Sequence, residues 1–175
     1  MIGLPELEEV QKMGTTKSGR YFGTQGSRNI VGDRARVHSN EGTFKWRDKK
    51  GKKEIRLASG GHGETGRKML DKYGIEYHIV KTYPNGVRVG HIPDHVDKRK
   101  RSGLSQTWFP KEWTGKDIKR AGEHVVGIKK NRNSKDGVAV FGMYKGVRVG
   151  VIKTNGTIAT VFPDSKQPSK GKRRK

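Results

Sequence analysis

The chain has 175 residues, 30% of them hydrophobic, no cysteine, and a formal net charge of +22. That length suits one domain with tails, and the lack of cysteine excludes a disulfide framework, a thiol nucleophile and a cysteine-based zinc site. No apolar run approaches the ~18 residues of a membrane span, and the cation excess points to a polyanionic partner: nucleic acid, an anionic membrane or an acidic protein.

Residues 1–35 carry little pattern. Gly, Thr, Ser and Asn are frequent from Gly14 to Gly32, and the stretch reads as a linker or loosely ordered arm. Its opening, Met1 to Val10, is acidic and has no apolar stretch of signal-peptide length. From Arg36 to Leu57 the pattern turns strand-like. Thr43-Phe44-Lys45-Trp46 alternates, Asp48 to Lys53 is a charged turn containing Gly51, and Glu54 to Leu57 alternates again, which predicts a hairpin. His38 lies just before it.

Ala58-Ser59-Gly60-Gly61-His62-Gly63 follows. Glycines on both sides of one histidine allow positive-φ turns and close approach of a substrate to the backbone. A helix is predicted from Glu64 to Tyr73, with Met69 and Leu70 on one side and Gly74 as its stop. A histidine beside a helix N-terminus is well placed to meet a phosphate. Glu76 to Thr82 and Val87 to Ile92 flank Tyr83-Pro84-Asn85-Gly86 and read as a second hairpin. Lys98-Arg99-Lys100-Arg101 then forms a local anion trap, here read as a phosphate contact.

Trp108, Phe109 and Trp113 carry enough area to build core, and aromatic rings can also stack on bases. Thr114 with Asp117 three residues on is a capping box. Ile118, Ala121 and Val125 share one face, so a helix is predicted from Gly115 to about Val126. Val138 to Tyr144, Val147 to Lys153 and Thr157 to Phe162 read as an antiparallel meander, turning at Lys145-Gly146 and Thr154-Asn155-Gly156. Gly-Val-Arg-Val-Gly occurs twice, at Gly86–Gly90 and Gly146–Gly150. From 165 to 175 the chain is basic and of low complexity, and it is expected to be a disordered tail with non-specific attraction to a polyanion.

The sequence has no Walker-type loop, GxSxG elbow or HExxH pair. Metal-independent RNA cleavage fits a basic, β-rich, thiol-free chain with six histidines. The 2′-OH is an internal nucleophile, histidine supplies base and acid near neutral pH, and Lys or Arg steadies the phosphorane charge. A metal-dependent DNase is the alternative. It would use a water nucleophile and a divalent metal, and would draw on Asp94, His95, Asp97 and Glu64. A non-catalytic nucleic-acid-binding module is a further alternative. No basic amphipathic helix suited to a membrane surface is visible.

Gly60-Gly61-His62, Thr107-Trp108-Phe109-Pro110-Lys111-Glu112-Trp113-Thr114 and Thr160-Val161-Phe162-Pro163 together resemble the bacterial EndoU nucleases. The likeness runs from about Leu57 to Asp164 and is nearest to C-terminal toxin modules of polymorphic and LXG-type toxins, including the YeeF-like group. The resemblance implies an α+β, EndoU/barnase-like fold over residues 36–164, with a pair of antiparallel sheets and flanking helices. It implies RNA cleavage to a 2′,3′-cyclic phosphate without a cofactor or metal. It also implies a secreted effector acting in the cytoplasm of a target bacterium, with a cognate acidic immunity protein. His62 matches the glycine-flanked catalytic histidine. The second histidine is His38, if residues 43–57 are an inserted hairpin, or His78. Lys100 matches the catalytic lysine, with Lys98 close behind. Thr160 and Phe162 stand at the terminal Thr-x-Tyr-Pro motif, where Phe162 can stack but lacks the hydroxyl. Thr107, Lys98 and Arg101 join Phe162 as substrate-binding candidates.

Overall fold

A computed structural model of the protein describes residues 29–169. Most of the expected N-terminal arm and the last residues of the basic tail lie outside the described residues. In chain order come α1 (Asp33–Asn40), β1 (Thr43–Lys49), β2 (Lys52–Ser59), α2 (Glu64–Lys72), β3 (His78–Thr82), β4 (Arg88–His91), β5 (Gln106–Trp108), α3 (Gly115–Gly127), β6 (Val140–Tyr144), β7 (Val147–Thr154) and β8 (Thr157–Pro163). Short 3₁₀ turns occupy Lys98–Lys100 and Lys129–Asn131. The strands form three antiparallel sheets, β1-β2, β3-β4-β5 and β6-β7-β8. The architecture is α+β, as expected, with three small sheets where the resemblance implied a pair.

Local chemistry accounts for most of these elements. Thr114 caps α3 through the Asp117 N–H, and the Asp117 side chain reciprocates on the Thr114 backbone. Ile118, Ala121 and Val125 are fully buried on one face. Three hairpins turn on two residues with successive positive φ values: Lys50-Gly51 (53° and 79°), Lys145-Gly146 (46° and 77°) and Asn155-Gly156 (52° and 76°). Such turns match the strand twist. The first is tighter than the six-residue turn expected, so β1 and β2 are longer than the alternation suggested.

Two apolar clusters fill the molecule. One joins α3 to Val147, Val149, Val151 and Val161 of the C-terminal sheet and to Val87, Val89, Phe109 and Trp113. The other gathers Phe44, Leu57, Leu70, Ile75, Ile92 and Trp108. The β3-β4-β5 sheet contributes to both clusters, Val89 to the first and Trp108 to the second. Both copies of Gly-Val-Arg-Val-Gly lead into the central strand of a three-stranded sheet, and all four of their valines are buried.

One expectation is corrected, and packing at both ends of the described residues is added to it. Residues 33–40 are a helix, although the pattern from Arg36 looked strand-like. α1 is short, has no side-chain N-cap, and is held by packing against β8 and α3. Its buried Ser39 accepts a hydrogen bond from the Val161 N–H on β8 (2.9 Å). Val31, before α1, is 1% exposed in the core and its N–H donates to Glu123. At the other end Ser165 to Gln167 are docked. The Gln167 amide accepts from the Arg148 N–H (2.8 Å) and donates to the Arg148 carbonyl (2.9 Å), and Tyr83 donates to the Ser165 carbonyl.

Replacing Thr114 with Ala should lower stability to urea by about 1 kcal/mol through loss of the cap, and Thr114→Ser should restore most of it. An unchanged midpoint in the Ala variant would mean that packing alone holds α3.

Candidate active site

The Gly60–Gly63 loop is bonded to the end of α1. The N–H groups of Gly61, His62 and Gly63 donate to the carbonyls of His38, Ser39 and Asn40 at 3.0, 2.6 and 3.1 Å. Those carbonyls belong to the last turn of a helix and have no partner within it. The fit depends on glycine. At Gly60 (φ +69°) a Cβ would lie 2.1 Å from the His38 carbonyl oxygen, and at Gly63 a Cβ would lie 1.8 Å from Asn40 Oδ1. From the other side Phe109 N–H donates to the His62 carbonyl (2.7 Å), and Gln106 Nε2 donates to the Gly60 carbonyl (3.3 Å). His62 is therefore clamped between α1 and β5.

The His62 ring is 5% exposed, and its Nδ1 lies 2.8 Å from the Thr107 carbonyl oxygen. A carbonyl only accepts, so Nδ1 carries the proton and Nε2 keeps its lone pair. Burial, and then the Lys100 charge, push the imidazole down to about 3, with the Thr107 bond opposing. Phe162 packs against this ring at 5.9 Å between centroids. His38 is half-buried, pairs through Nδ1 with Thr43 Oγ1 (2.9 Å), and is lowered by burial and by Arg34. Its charge acts on His62.

His95 completes the group. It is 1% exposed, and its Nδ1 accepts from the Asp97 N–H (2.9 Å), so the neutral ring carries its proton on Nε2. Burial and then Lys100 lower it to about 4. Lys100 is half-buried, lowered mainly by burial, and donates to the Ser105 carbonyl (2.6 Å).

His38, His62, Lys100, Thr107 and Phe162 are thus gathered, and residues 43–59 are the hairpin between the two histidines. Thr160 is half-buried on β8, two residues before Phe162 and on the same face. His78 is not brought in: it lies exposed on β3, donates to Glu76 (2.8 Å), and stacks on His91 at 5.0 Å. Lys98 is exposed, while Arg101 donates to the His95 carbonyl (2.7 Å) and shapes the loop. The sequence reading placed His95 only in the metal alternative; its position five residues before Lys100 in one loop was the available signal. The carboxylates of that alternative face arginines: Asp94 meets Arg47, Asp97 meets Arg99, and Glu64 meets Arg67 and the buried Arg88. Among the described residues no group of three or more His, Asp or Glu side chains is placed to hold a metal ion.

Buried neutral histidines give stability a definite pH dependence. The unfolded imidazole takes its proton near 6.5, whereas folded His62 resists to about 3 and folded His95 to about 4. In that window the unfolded chain binds more protons, so stability is full above 6.5 and is lost as pH falls. Replacing His95 with Asn should reduce the slope of urea stability against pH, between 4 and 6.5, by up to about one proton equivalent. A parental slope in the variant would show that His95 is not held neutral.

A family model described as bacterial EndoU nuclease matches residues 32–165. Compared with curated proteins and with solved structures, the chain shows no match. The family match covers well over half of the chain, including the clamped His62, the Lys100 loop and the Thr160–Pro163 strand end, and the chain belongs to the bacterial EndoU nuclease family.

Proposed function

We propose that this nuclease is a metal-independent endoribonuclease. The observation that carries the reading is the meeting of His38 and His62 across the three backbone hydrogen bonds, under the charge of Lys100. His62 Nε2, unprotonated at neutral pH, takes the proton of the substrate 2′-OH, and O2′ attacks the adjacent phosphorus. Lys100 steadies the negative charge on the non-bridging oxygens. His38, protonated once the phosphate anion is bound, gives its proton to the departing 5′-oxygen. The products are a 2′,3′-cyclic phosphate and a 5′-hydroxyl. Phe162 stacks on a base beside the cleaved bond, and Thr160 and Thr107 line the same region.

The wider reading is an antibacterial toxin module of the polymorphic, LXG-type kind, secreted and acting in the cytoplasm of a target cell. An acidic immunity protein is its partner in the producer. The charge of +22 supports both a polyanionic substrate and an acidic inhibitor.

The test is cleavage of total RNA and of duplex DNA by purified protein, each with and without EDTA. RNA cut in EDTA, leaving cyclic phosphate ends, is the expected result. DNA cut only with added metal would overturn the histidine mechanism in favour of a metal-dependent DNase. Binding without cleavage would reduce the chain to a nucleic-acid-binding module. His62→Ala should lower RNA cleavage by about 10²–10⁴-fold with an unchanged circular dichroism spectrum. Near-parental activity in that variant would sink the assignment of the base.

A further inference from the structure

The hairpin between the two histidines carries a charged face. Phe44 and Leu57 point into the second apolar cluster, and Ile55 packs against it. The opposite face holds Lys45, Arg47, Glu54 and Arg56, with Lys45 directly across from Arg56 and Arg47 across from Glu54. Arg47 engages both acids within reach: it donates to Glu54 Oε2 (2.9 Å) and to both Asp94 oxygens (3.0 and 2.9 Å). Among the described residues no carboxylate is hydrogen-bonded to Arg56, and Glu54, which feels its charge, is bonded to Arg47 instead. The Arg56 Nε is closed off from solvent and has no hydrogen-bond partner among the described residues.

Both features are unfavourable. A buried guanidinium N–H without an acceptor forfeits its hydration, and like charges directly opposite in a sheet repel. An anion set against the guanidinium offsets the repulsion between Lys45 and Arg56. The location agrees, because the loop bearing His95 and Lys100 is stitched to this hairpin by the bond from Val96 N–H to the Leu57 carbonyl (3.0 Å). Arg56 is close enough to His95 for its charge to disfavour protonation there.

We infer that Arg56, with Lys45 beside it, binds a backbone phosphate of the nucleic-acid substrate, adjacent to the phosphate at His62 and Lys100. The planar fork of arginine suits a phosphodiester and keeps its charge at any working pH. The inference rests on the ribonuclease reading for which bond is cut, but not for the anion itself. It makes the β1–β2 hairpin a wall of the substrate groove and extends recognition beyond one nucleotide step.

The experiment compares the parent with Arg56→Met and with Lys129→Gln, a change at an exposed cation after α3 that makes no contact with the site. On an oligoribonucleotide with several phosphates, Arg56→Met should raise KM about tenfold and leave kcat within about twofold. On a dinucleoside monophosphate, which has only the scissile phosphate, it should behave as the parent. In binding to an uncleavable 2′-O-methyl oligonucleotide, the slope of log K against log salt should fall by about 0.7, and Lys129→Gln should not change it. Thermal stability of Arg56→Met should equal or exceed that of the parent. Arg56→Met matching Lys129→Gln in both assays would overturn the subsite, as would a fall in kcat on the dinucleoside or a marked loss of stability. If the parent cleaves no RNA, the ribonuclease reading fails, and the binding arm still decides whether Arg56 holds a phosphate.

Discussion

The structure depends on three consecutive backbone hydrogen bonds between the Gly60–Gly63 loop and the last turn of α1. A helix that ends inside a protein leaves carbonyls needing donors. Here the donors come from a loop whose glycines let it lie flush against that helix end, where a Cβ at Gly60 or Gly63 would collide with His38 or Asn40. The same bonds set the path of both histidines. They also explain why α1 forms with weak local signals: its end is completed by another segment, and Ser39 fixes it to β8.

Around that junction the charges are sorted. The carboxylates near the site are engaged by arginines: Glu64 by Arg67 and Arg88, Asp94 by Arg47, and Asp97 by Arg99. The Glu64–Arg88 pair is tied to the clamp, because Arg88 also donates to the Phe109 carbonyl (2.6 Å), and the Phe109 N–H holds the His62 carbonyl. Lys100 and three imidazoles share this region, where the Asp97 charge favours protonation of His95 and Lys100 but is outweighed by burial. Burial first, and then neighbouring cations at the three imidazoles, depresses their proton affinities, and a phosphate anion is the charge that restores them.

Packing gives this arrangement its rigidity. Thr107 bonds to His62, while its neighbour Trp108 lies in one apolar cluster and Phe109 in the other. On the opposite side Phe162 rests against His62 and meets Phe141 edge-on. The His62 ring is held by Thr107, whose strand is anchored in the core, and by Phe162, which favours a fixed tautomer and orientation.

The sequence by itself determined the elements whose signals lie within a few residues. α3 was legible from Thr114, Asp117 and the spacing of Ile118, Ala121 and Val125. The C-terminal meander was legible from Lys145-Gly146 and Asn155-Gly156, and the glycine-flanked His62 stood out with the family motifs around it. Tertiary structure alone decided which second histidine meets His62, since His38 and His78 flank it on either side along the chain. It also decided that His95 joins the group, that residues 33–40 are helical, and that Gln167 is docked. Each of these rests on bonds between segments far apart in the chain, such as His62 to Thr107 across 45 positions. Caps, turns and alternation report a residue's near neighbours; they carry no information about which distant carbonyl will satisfy a buried N–H.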